Sequence, residues 1–232
     1  MRRVIMSLMK PSGGDPDFAS VVLLLDFAGA DGATDITDLS NAARVETFSG
    51  NAEVDTAKQF LDENSLLCDG NVATRVTYEP HADFAMGTGD FTWECGVLFS
   101  GLTGGAHTFL SNYDAVGAGS WFRWATADEI QWVVYPGVLV KQESWFPELE
   151  TWYHVAVCRS GTDLRIFVDG VQMGTPTTDS TDMGAGVENF NVGATRASTS
   201  PLIGSIGAVR ITKGVARYTE NFTAPTVFYP TS

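Results

Sequence analysis

The segment SIGAVRITKGVARYTENFTAP, residues 205–225, has the pattern of a β-strand that leads into a short irregular tail. Ile206, Val209 and Ile211 supply apolar side chains within its first half, which β-structure favours. We expect this strand to be the last of its sheet. It should lie beside VVLLL at residues 21–25, a continuous apolar run with the length of a buried strand.

Three further segments have strand patterns. Residues 152–160, WYHVAVCRS, have two largely uncharged faces, which is typical of a central strand. Residues 163–174, DLRIFVDGVQMG, form the clearest hairpin, because Asp169-Gly170 supplies the positive-φ pair of a type I′ turn. Residues 90–100 place a row of apolar side chains on one face: Phe91, Trp93, Cys95, Val97 and Phe99.

Helical periodicity is weak along the whole sequence. The longest helix candidate, residues 54–67, has apolar residues at mixed spacing and is interpreted as a loop and a strand. Many strands and 24 glycines, with almost no helix, predict an all-β sandwich. The segment KPSGGDPD before Phe18 has no apolar residue. We therefore predict an N-terminal arm at residues 1–17 and one sandwich domain at residues 18–232.

The tail after the last strand is interpreted as a segment that closes the fold. Lys213 and Arg217 are expected to be solvated or paired with some of the 28 acidic residues. Tyr218 and Phe222 are expected to cover the end of the sandwich. Pro225 prevents further strand pairing at the edge.

Composition excludes several classes of function. The formal net charge of −14 disfavours nucleic-acid binding, because phosphate backbones would be repelled. No apolar run approaches the ~18 residues that a membrane-spanning helix needs. The N-terminal VIMSLM is too short for a signal-peptide core and is followed by Lys10, so we expect synthesis in a cytoplasm without signal-directed export.

The cysteines give an expectation about redox state. Cys68, Cys95 and Cys158 are widely spaced and form no C-x-x-C motif. We interpret them as three free, mostly buried thiols, which suits a reducing compartment. A bridge between Cys95 and Cys158 stays open as the alternative.

A family resemblance is carried by four segments in order: GTGDFTWECGVLF (87–99), TWYHVAVCRSGTDLRIFVDGVQMG (151–174), FNVGAT (190–195) and LIGSIGAVRITKGVARYTENFTAPTVFYP (202–230). They resemble the laminin-G-like, concanavalin A-like lectin/glucanase family, in the version found in tailed-bacteriophage structural proteins. The opening VVLLLDFAGADGATDITDLS is similar to that family's first strand and turn. The resemblance covers about residues 18–230. It implies a jelly-roll sandwich of two antiparallel sheets, one of them concave.

The resemblance implies a non-enzymatic bacteriophage virion protein, made in the host cytoplasm. It would be a capsid decoration, spike or tail-accessory subunit, a homo-oligomer that assembles with major capsid or tail proteins. Arg2, Arg3 and Lys10 of the arm would dock on an acidic neighbour, which the arm could reach over about 50 Å if fully extended. The sequence departs from the family at Gly207-Ala208, where relatives often carry an acidic pair, so no role of those acids is carried over.

An aromatic-rich region supports an alternative function, attachment to host-surface glycans. In SWFRW, residues 120–124, adjacent side chains point to opposite faces of a strand, so some rings leave the core. Exposed indoles beside polar side chains can stack on sugar rings. Core or interface packing of the same rings is the competing and favoured interpretation. The candidate sugar contacts are Trp121, Arg123, Trp124, Trp132 and Tyr135.

Catalysis has little support in the sequence. Glu53, Asp55 and Lys58 in EVDTAK approach the E-x-D-x-x-E pattern of glucanase relatives but lack its final acid. A glycoside hydrolase is therefore the weakest alternative, and we predict no catalytic residue. The three histidines are scattered and are interpreted as structural, hydrogen-bonded side chains: His81, His107 and His154.

Calcium is the one cofactor that the sequence leaves open. The stretch DFAGADGATDITD crowds Asp26, Asp31, Asp35 and Asp38 into one loop-like region, and carboxylates in loops are calcium ligands. The spacing matches no EF-hand, and Asp side chains also cap turns through backbone N–H groups. The turn interpretation is favoured, with Asp31, Asp35 and Asp38 as the candidate ligands.

Overall fold

The described residues form two antiparallel β-sheets. The computed structural model describes residues 13–113, 119–134, 138–183, 188–196 and 200–232. Two single-turn 3-10 helices lie at Phe18–Ser20 and Ala82–Phe84. The strands within the described residues are β1 (Val21–Leu25), β2 (Glu46–Ser49), β3 (Glu53–Phe60), β4 (Glu63–Asp69), β5 (Arg75–Tyr78), β6 (Phe91–Phe99), β7 (His107–Ser111), β8 (Ser120–Ala125), β9 (Glu129–Val134), β10 (Val138–Ser144), β11 (Trp152–Ser160), β12 (Asp163–Val168), β13 (Val171–Thr178), β14 (Phe190–Val192) and β15 (Ile203–Lys213).

The strand order confirms the predicted jelly-roll sandwich. The eight-stranded sheet has the order β13-β12-β11-β6-β15-β4-β3, with β1 paired to β15. The seven-stranded sheet has the order β10-β9-β8-β7-β14-β5-β2. The two sheets pack face to face, and β1 lies against β15 as the terminal strand patterns predict.

The core between the sheets is rich in aromatic rings. Trp93 of β6 meets Trp132 of β9 edge-on, with ring centroids 4.9 Å apart. It also meets Phe190 of β14 at 5.0 Å. The row predicted on β6, which includes Cys95, belongs to this core. Such edge-to-face pairs add to the stability gained from burying the rings.

Local predictions along β11–β13 are confirmed, and the one for residues 54–67 is wrong. Asp169 and Gly170 have positive φ and join β12 to β13 as a two-residue turn. Residues 54–67 form most of a second hairpin, β3–β4, turning at Leu61 and Asp62 with φ of 57° and 62°. A loop was expected there because the apolar residues of this stretch have mixed spacing.

The tail after β15 covers the outer face of the eight-stranded sheet. Tyr218 and Phe222 stack with ring centroids 3.6 Å apart and pack on Ala156, Cys158 and Phe167. The prediction that the tail closes the fold is confirmed. It covers a sheet face rather than an end of the sandwich, because the small side chains of β11 leave room for two rings.

A buried carboxylate lies beneath this tail. Glu94 of β6 is fully buried and accepts hydrogen bonds from Arg210 (2.8 Å), His154 (2.9 Å) and the Tyr218 hydroxyl (2.8 Å). Burial would raise the pKa of Glu94, but the Arg210 charge and the hydrogen bonds from His154 and Arg210 hold it well below its usual range. The cluster therefore joins β6, β11, β15 and the tail.

The predicted arm boundary at Phe18 needs correction, because Asp15 belongs to the sandwich. Its carboxylate pairs with Arg217 (2.8 Å) and Arg210 (3.3 Å), and its N–H donates to the Ser232 carbonyl at 2.7 Å. Burial opposes ionisation of Asp15, yet the hydrogen bond and charge of Arg217 leave its pKa lowered. KPSGGDPD was interpreted as a linker because composition cannot reveal an ion pair with residues 200 positions away.

Replacing Glu94 by Gln should destabilise the protein by about 3 kcal/mol, because Arg210 loses its closest counter-charge while buried. The wild-type free energy of unfolding should fall as the pH drops below about 4.5, since the unfolded chain then binds a proton that native Glu94 excludes. Glu94→Gln should flatten this slope. Urea unfolding at pH 7, 5 and 3 measures both effects. Asp163→Asn, which breaks the half-exposed pair with Arg165, is the control and should cost less than about 1 kcal/mol.

Two facing glycines admit a ring onto the same sheet face. Gly96 of β6 and Gly207 of β15 are register partners, and a Cβ on either would overlap the Phe60 side chain. Phe60 reaches this place from the end of β3 and lies 5.1 Å from Trp152. Both glycines are therefore needed for Phe60 to pack on this face.

Gly96→Ala should destabilise the protein by about 1–3 kcal/mol, because the added methyl group forces Phe60 out of its place. Gly13→Ala meets no atom within 4 Å and is the matched control. Thermal unfolding followed by circular dichroism compares the two. Equal melting temperatures for both variants and the wild type would contradict the packing argument.

Candidate functional site

The outer face of the seven-stranded sheet carries aromatic and polar side chains side by side. Along β8, Phe122 and Trp124 point into the core, so Trp121 and Arg123 point outward. Their register partners Val133 and Gln131 on β9 point outward as well. The alternation of these two strands therefore sets an indole beside charged and amide groups.

Trp121 is the centre of the face. Its indole N–H donates to the Thr108 hydroxyl at 2.8 Å, which fixes the ring plane. Tyr113 stacks on it with ring centroids 5.4 Å apart and planes 10° apart. The Arg123 guanidinium lies 4.2 Å from the ring centroid. Trp121 stays half-buried in this arrangement, so the Tyr113–Trp121 pair forms an oriented aromatic surface.

A hydrogen-bonded chain runs beside the aromatic pair. Arg123 donates through Nε to Gln131 at 2.9 Å, and Gln131 donates to Glu129 at 2.9 Å. Burial lowers the pKa of Arg123, although a guanidinium stays charged at neutral pH. The chain presents fixed donors and acceptors in a row along β8 and β9.

The polar row continues across the sheet. Trp121 faces Ser111 on β7, Ser111 faces Asn191 on β14, and Asn191 faces Thr77 on β5. The Thr77 hydroxyl donates to Asn191 at 3.0 Å. Ser111 and Asn191 are fully buried although they point away from the core. We call Ser111 and Asn191 the polar floor of this face, and the larger side chains on either side of it project further from the sheet.

Arg75 and Arg196 lie at the far side of this floor. Arg75 donates through Nη1 to the Val72 carbonyl, and its buried Nε makes no hydrogen bond with the described residues. Burial, and then the nearby Arg196 charge, lower the pKa of Arg75. Arg196 donates to the Asn189 side chain at 2.5 Å. The face thus combines rings, amides, hydroxyls and guanidinium groups.

The predicted sugar contacts separate into three groups. Trp121 and Arg123 lie on the outer face. Trp124 and Trp132 lie in the core, 2% and 0% exposed, so their prediction as sugar contacts is wrong. Trp124 also donates its indole N–H to the Trp145 carbonyl. Tyr135 falls outside the described residues.

The predicted calcium ligands do not converge. Asp38 is buried and accepts hydrogen bonds from the backbone N–H groups of Leu24, Ser40 and Arg44. Asp31 accepts from Thr56. Asp35 has no part in either set. Among the residues that the structure describes, no group of three His, Cys, Asp or Glu side chains is arranged to hold a metal ion. Asp38 therefore binds backbone N–H groups, as the turn interpretation predicts.

The three histidines lie in separate places, as expected for structural side chains. His81 caps the helix at Ala82–Phe84, and His154 binds Glu94. His107 is buried and accepts a hydrogen bond from the Ile203 N–H. Burial lowers the pKa of His107 to about 4, so its ring is neutral at pH 7.

The near-match to a glucanase motif lies away from the outer face of the seven-stranded sheet. Glu53 and Asp55 lie on β3, the edge strand of the other sheet. Asp55 accepts a hydrogen bond from the Ala57 N–H, and Lys58 pairs with Glu150. The three cysteines are buried and free, as predicted, and burial raises the pKa of Cys158 to about 12. The predicted docking residues, Arg2, Arg3 and Lys10, lie outside the described residues.

Sequence reasoning missed Tyr113, Arg75 and Asn191. Asn191 and Arg75 are on strands far apart in the chain, and only the order β7-β14-β5 brings them to one face. Tyr113 follows β7 in a connecting segment without strand periodicity. The available signal was the alternation of SWFRW, which places Trp121 and Arg123 on the same face of one strand.

The geometry belongs to a known family. The model of the concanavalin A-like lectin/glucanases superfamily matches residues 69–219. The chain therefore belongs to this family, a class of lectin-like β-sandwich domains. A comparison with curated protein sequences gave no significant match. Within the described residues, no helix has the length and apolar character required to cross a bilayer.

Solved structures with the same fold come from toxins and glycan-active proteins. The binding domain of Paraclostridial Mosquitocidal Protein 1 has a TM-score of 0.66 at 11% identity, with 87% of this chain and 50% of that chain covered. Domain 4 of AbnA, a GH43 extracellular arabinanase from Geobacillus stearothermophilus, in complex with arabinotriose, has a TM-score of 0.64 at 15% identity, with 85% of this chain and 94% of that chain covered. Trypanosoma rangeli sialidase in complex with sialic acid has a TM-score of 0.61 at 17% identity, with 85% of this chain and 31% of that chain covered.

These likenesses show a shared fold. The chain spans nearly the whole of the arabinanase domain. It spans half of the toxin binding domain and about a third of the sialidase.

Proposed function

We propose that this protein is a non-enzymatic, lectin-like domain that binds carbohydrate on the outer face of its seven-stranded sheet. The stacked Tyr113–Trp121 pair beside the Arg123–Gln131–Glu129 chain carries the proposal. Sugar rings have apolar C–H faces and a rim of hydroxyls. A sugar-binding site therefore needs an aromatic surface next to fixed donors and acceptors, which is the combination found around Trp121.

The contacts around Trp121 suggest how a sugar would bind. Tyr113 and Arg123 both cover the indole ring, so a sugar contacts the edge of the pair or displaces the guanidinium. Gln131 and Glu129 then offer an amide and a carboxylate to the hydroxyls. Thr108 keeps the indole plane fixed, which lowers the entropy lost on binding. The arabinotriose bound by the arabinanase domain of the same fold supports a sugar ligand.

The placement of acids supports a binding role without hydrolysis. Most glycosidases use two carboxyl groups that flank one sugar linkage. Glu53 and Asp55 are on the edge of the opposite sheet. Glu129 on the proposed binding face is hydrogen-bonded to Gln131.

Trp121→Ala should weaken glycan binding at least about tenfold, because a truncated central aromatic commonly costs about 2 kcal/mol or more. Glycan-array binding followed by titration calorimetry on the bound glycans measures this. Phe146→Ala removes an aromatic side chain that is 73% exposed elsewhere and is the matched control. A folded wild-type protein that binds no glycan, or a Trp121→Ala variant that binds like wild type, would refute the proposed site.

We further propose that the domain is carried on a bacteriophage particle as a decoration, spike or tail-accessory subunit. The resemblance of residues 18–230 to phage structural proteins supports this setting. A particle that displays a glycan-binding face gains a means of attachment to its host. The partners would be other virion proteins, and the assembly a homo-oligomer.

Deleting residues 1–12 should abolish incorporation into particles if Arg2, Arg3 and Lys10 dock the subunit. The deletion stops before Asp15, because that residue pairs with Arg210 and Arg217 and its loss would destabilise the sandwich. Mass spectrometry of purified particles gives the readout. Arg2→Gln/Arg3→Gln/Lys10→Gln is the second variant and should show the same loss. Normal incorporation of both variants would contradict docking through the arm.

A further inference from the structure

Arginines divide into two groups by their partners. Five of the eight within the described residues pair with carboxylates: Arg44, Arg159, Arg165, Arg210 and Arg217. Arg75, Arg123 and Arg196 have no described carboxylate within ion-pairing distance. These three lie on or beside the outer face of the seven-stranded sheet. Within the described part of the chain, three guanidinium groups on one face thus lack a paired carboxylate.

The surroundings of Arg75 and Arg123 make this arrangement costly. Arg75 keeps a buried Nε that donates no hydrogen bond within the described chain, and Arg196 lies close enough to repel it. Among the described residues, the Arg123 Nε donates to the neutral Gln131 amide rather than to a carboxylate. A partly buried guanidinium is stable when an anion accepts its hydrogen bonds. Arg75 and Arg196 together provide donors for such an anion.

The spacing of these groups fits an extended ligand. Arg75 on β5 and Arg123 on β8 are separated by β14 and β7. At about 4.8 Å per strand, their backbones lie about 14 Å apart. Ser111 and Asn191, on the two strands between them, form the polar floor that runs from Trp121 to Thr77. A ligand that contacts Trp121 and Arg123 at one end therefore reaches Arg75 with its other end.

We propose that the glycan bound at this face is anionic, with a carboxylate or sulfate group. Arg75 and Arg196 bind one acidic group, Arg123 binds a second or stabilises the first sugar, and the Tyr113–Trp121 pair holds a ring. The planar fork of a guanidinium matches the two oxygens of a carboxylate or sulfate. This inference rests on the proposed function, since it specifies the ligand of the same site.

Matched pairs of oligosaccharides test the charge requirement. Trigalacturonic acid and its fully methyl-esterified form share a skeleton and differ in charge. Oligosaccharides from κ-carrageenan and their desulfated forms do the same for sulfate. Titration calorimetry measures binding in 50 mM and in 500 mM NaCl. In 50 mM NaCl, one acidic member should bind at least tenfold more tightly than its neutral form. High salt should reduce that difference, because partly exposed ion pairs are screened.

Three variants assign the effect to these arginines. Arg75→Gln should lose about tenfold or more in affinity for the acidic glycan and keep its affinity for the neutral form. Arg123→Gln should weaken binding of both forms, because Arg123 contacts Trp121 and Gln131, but should weaken binding of the acidic form more. Arg165→Gln makes the same change of charge on the other sheet and should bind like wild type. Arg75→Lys keeps the charge without the fork and should fall between Arg75→Gln and wild type. Melting temperatures within a few degrees of wild type establish that the variants are folded.

The outcomes separate this inference from the proposed function. Equal binding of acidic and neutral members, lost in Trp121→Ala, would overturn the anionic ligand and keep the glycan site. Preference for an acidic member that Arg165→Gln abolishes as much as Arg75→Gln would also overturn it. Preference for uronates identifies carboxylate as the group bound, and preference for carrageenan identifies sulfate. Absence of any glycan binding would refute both proposals.

Discussion

The carboxylate of Glu94 is the interaction on which much of the architecture depends. It is held without solvent contact on the outer face of the eight-stranded sheet, where ionisation is costly unless several donors surround it. Arg210, His154 and Tyr218 supply those donors from two neighbouring strands and the C-terminal tail. Asp15 then shares Arg210 and holds Arg217. The burial of this one charge is therefore linked to the contacts of Asp15 and of the tail after β15.

This requirement makes the two outer faces of the sandwich different. The eight-stranded sheet is covered by Phe60, by the stacked Tyr218–Phe222 pair and by the final residues of the chain. On the seven-stranded sheet, a polar floor and a half-buried Trp121 lie in the same position relative to the core. The covered face contributes stability. The other face leaves Trp121 half-buried beside Arg123, which pairs with no described carboxylate, and it is the face that we propose for ligand binding.

Much of the fold could be predicted from sequence, because it follows local rules. Period-two alternation identified β6 and β11, and Asp169-Gly170 specified its hairpin through positive φ. The alternation of SWFRW shows that Trp121 and Trp124 point to opposite faces, but not which one faces the core. That choice depends on the neighbouring strands, and it places Trp124 inside. The position of Arg75 on this face depends on strand order, and the ion pairs of Asp15 join residues distant in sequence. No local pattern contains this information.

The meeting of Asp15 with Ser232 has a consequence for how the domain faces its surroundings. Both ends of the described chain lie together on the covered side of the sandwich, and Trp121 lies on the side opposite. A segment that continues from Asp15 or from Ser232 would therefore leave the sandwich on the covered side, away from the face that carries Trp121. The same adjacency suits residues 15–232 to circular permutation, since a short peptide could join Asp15 to Ser232 and the chain could be opened at the exposed Thr103-Gly104 between β6 and β7.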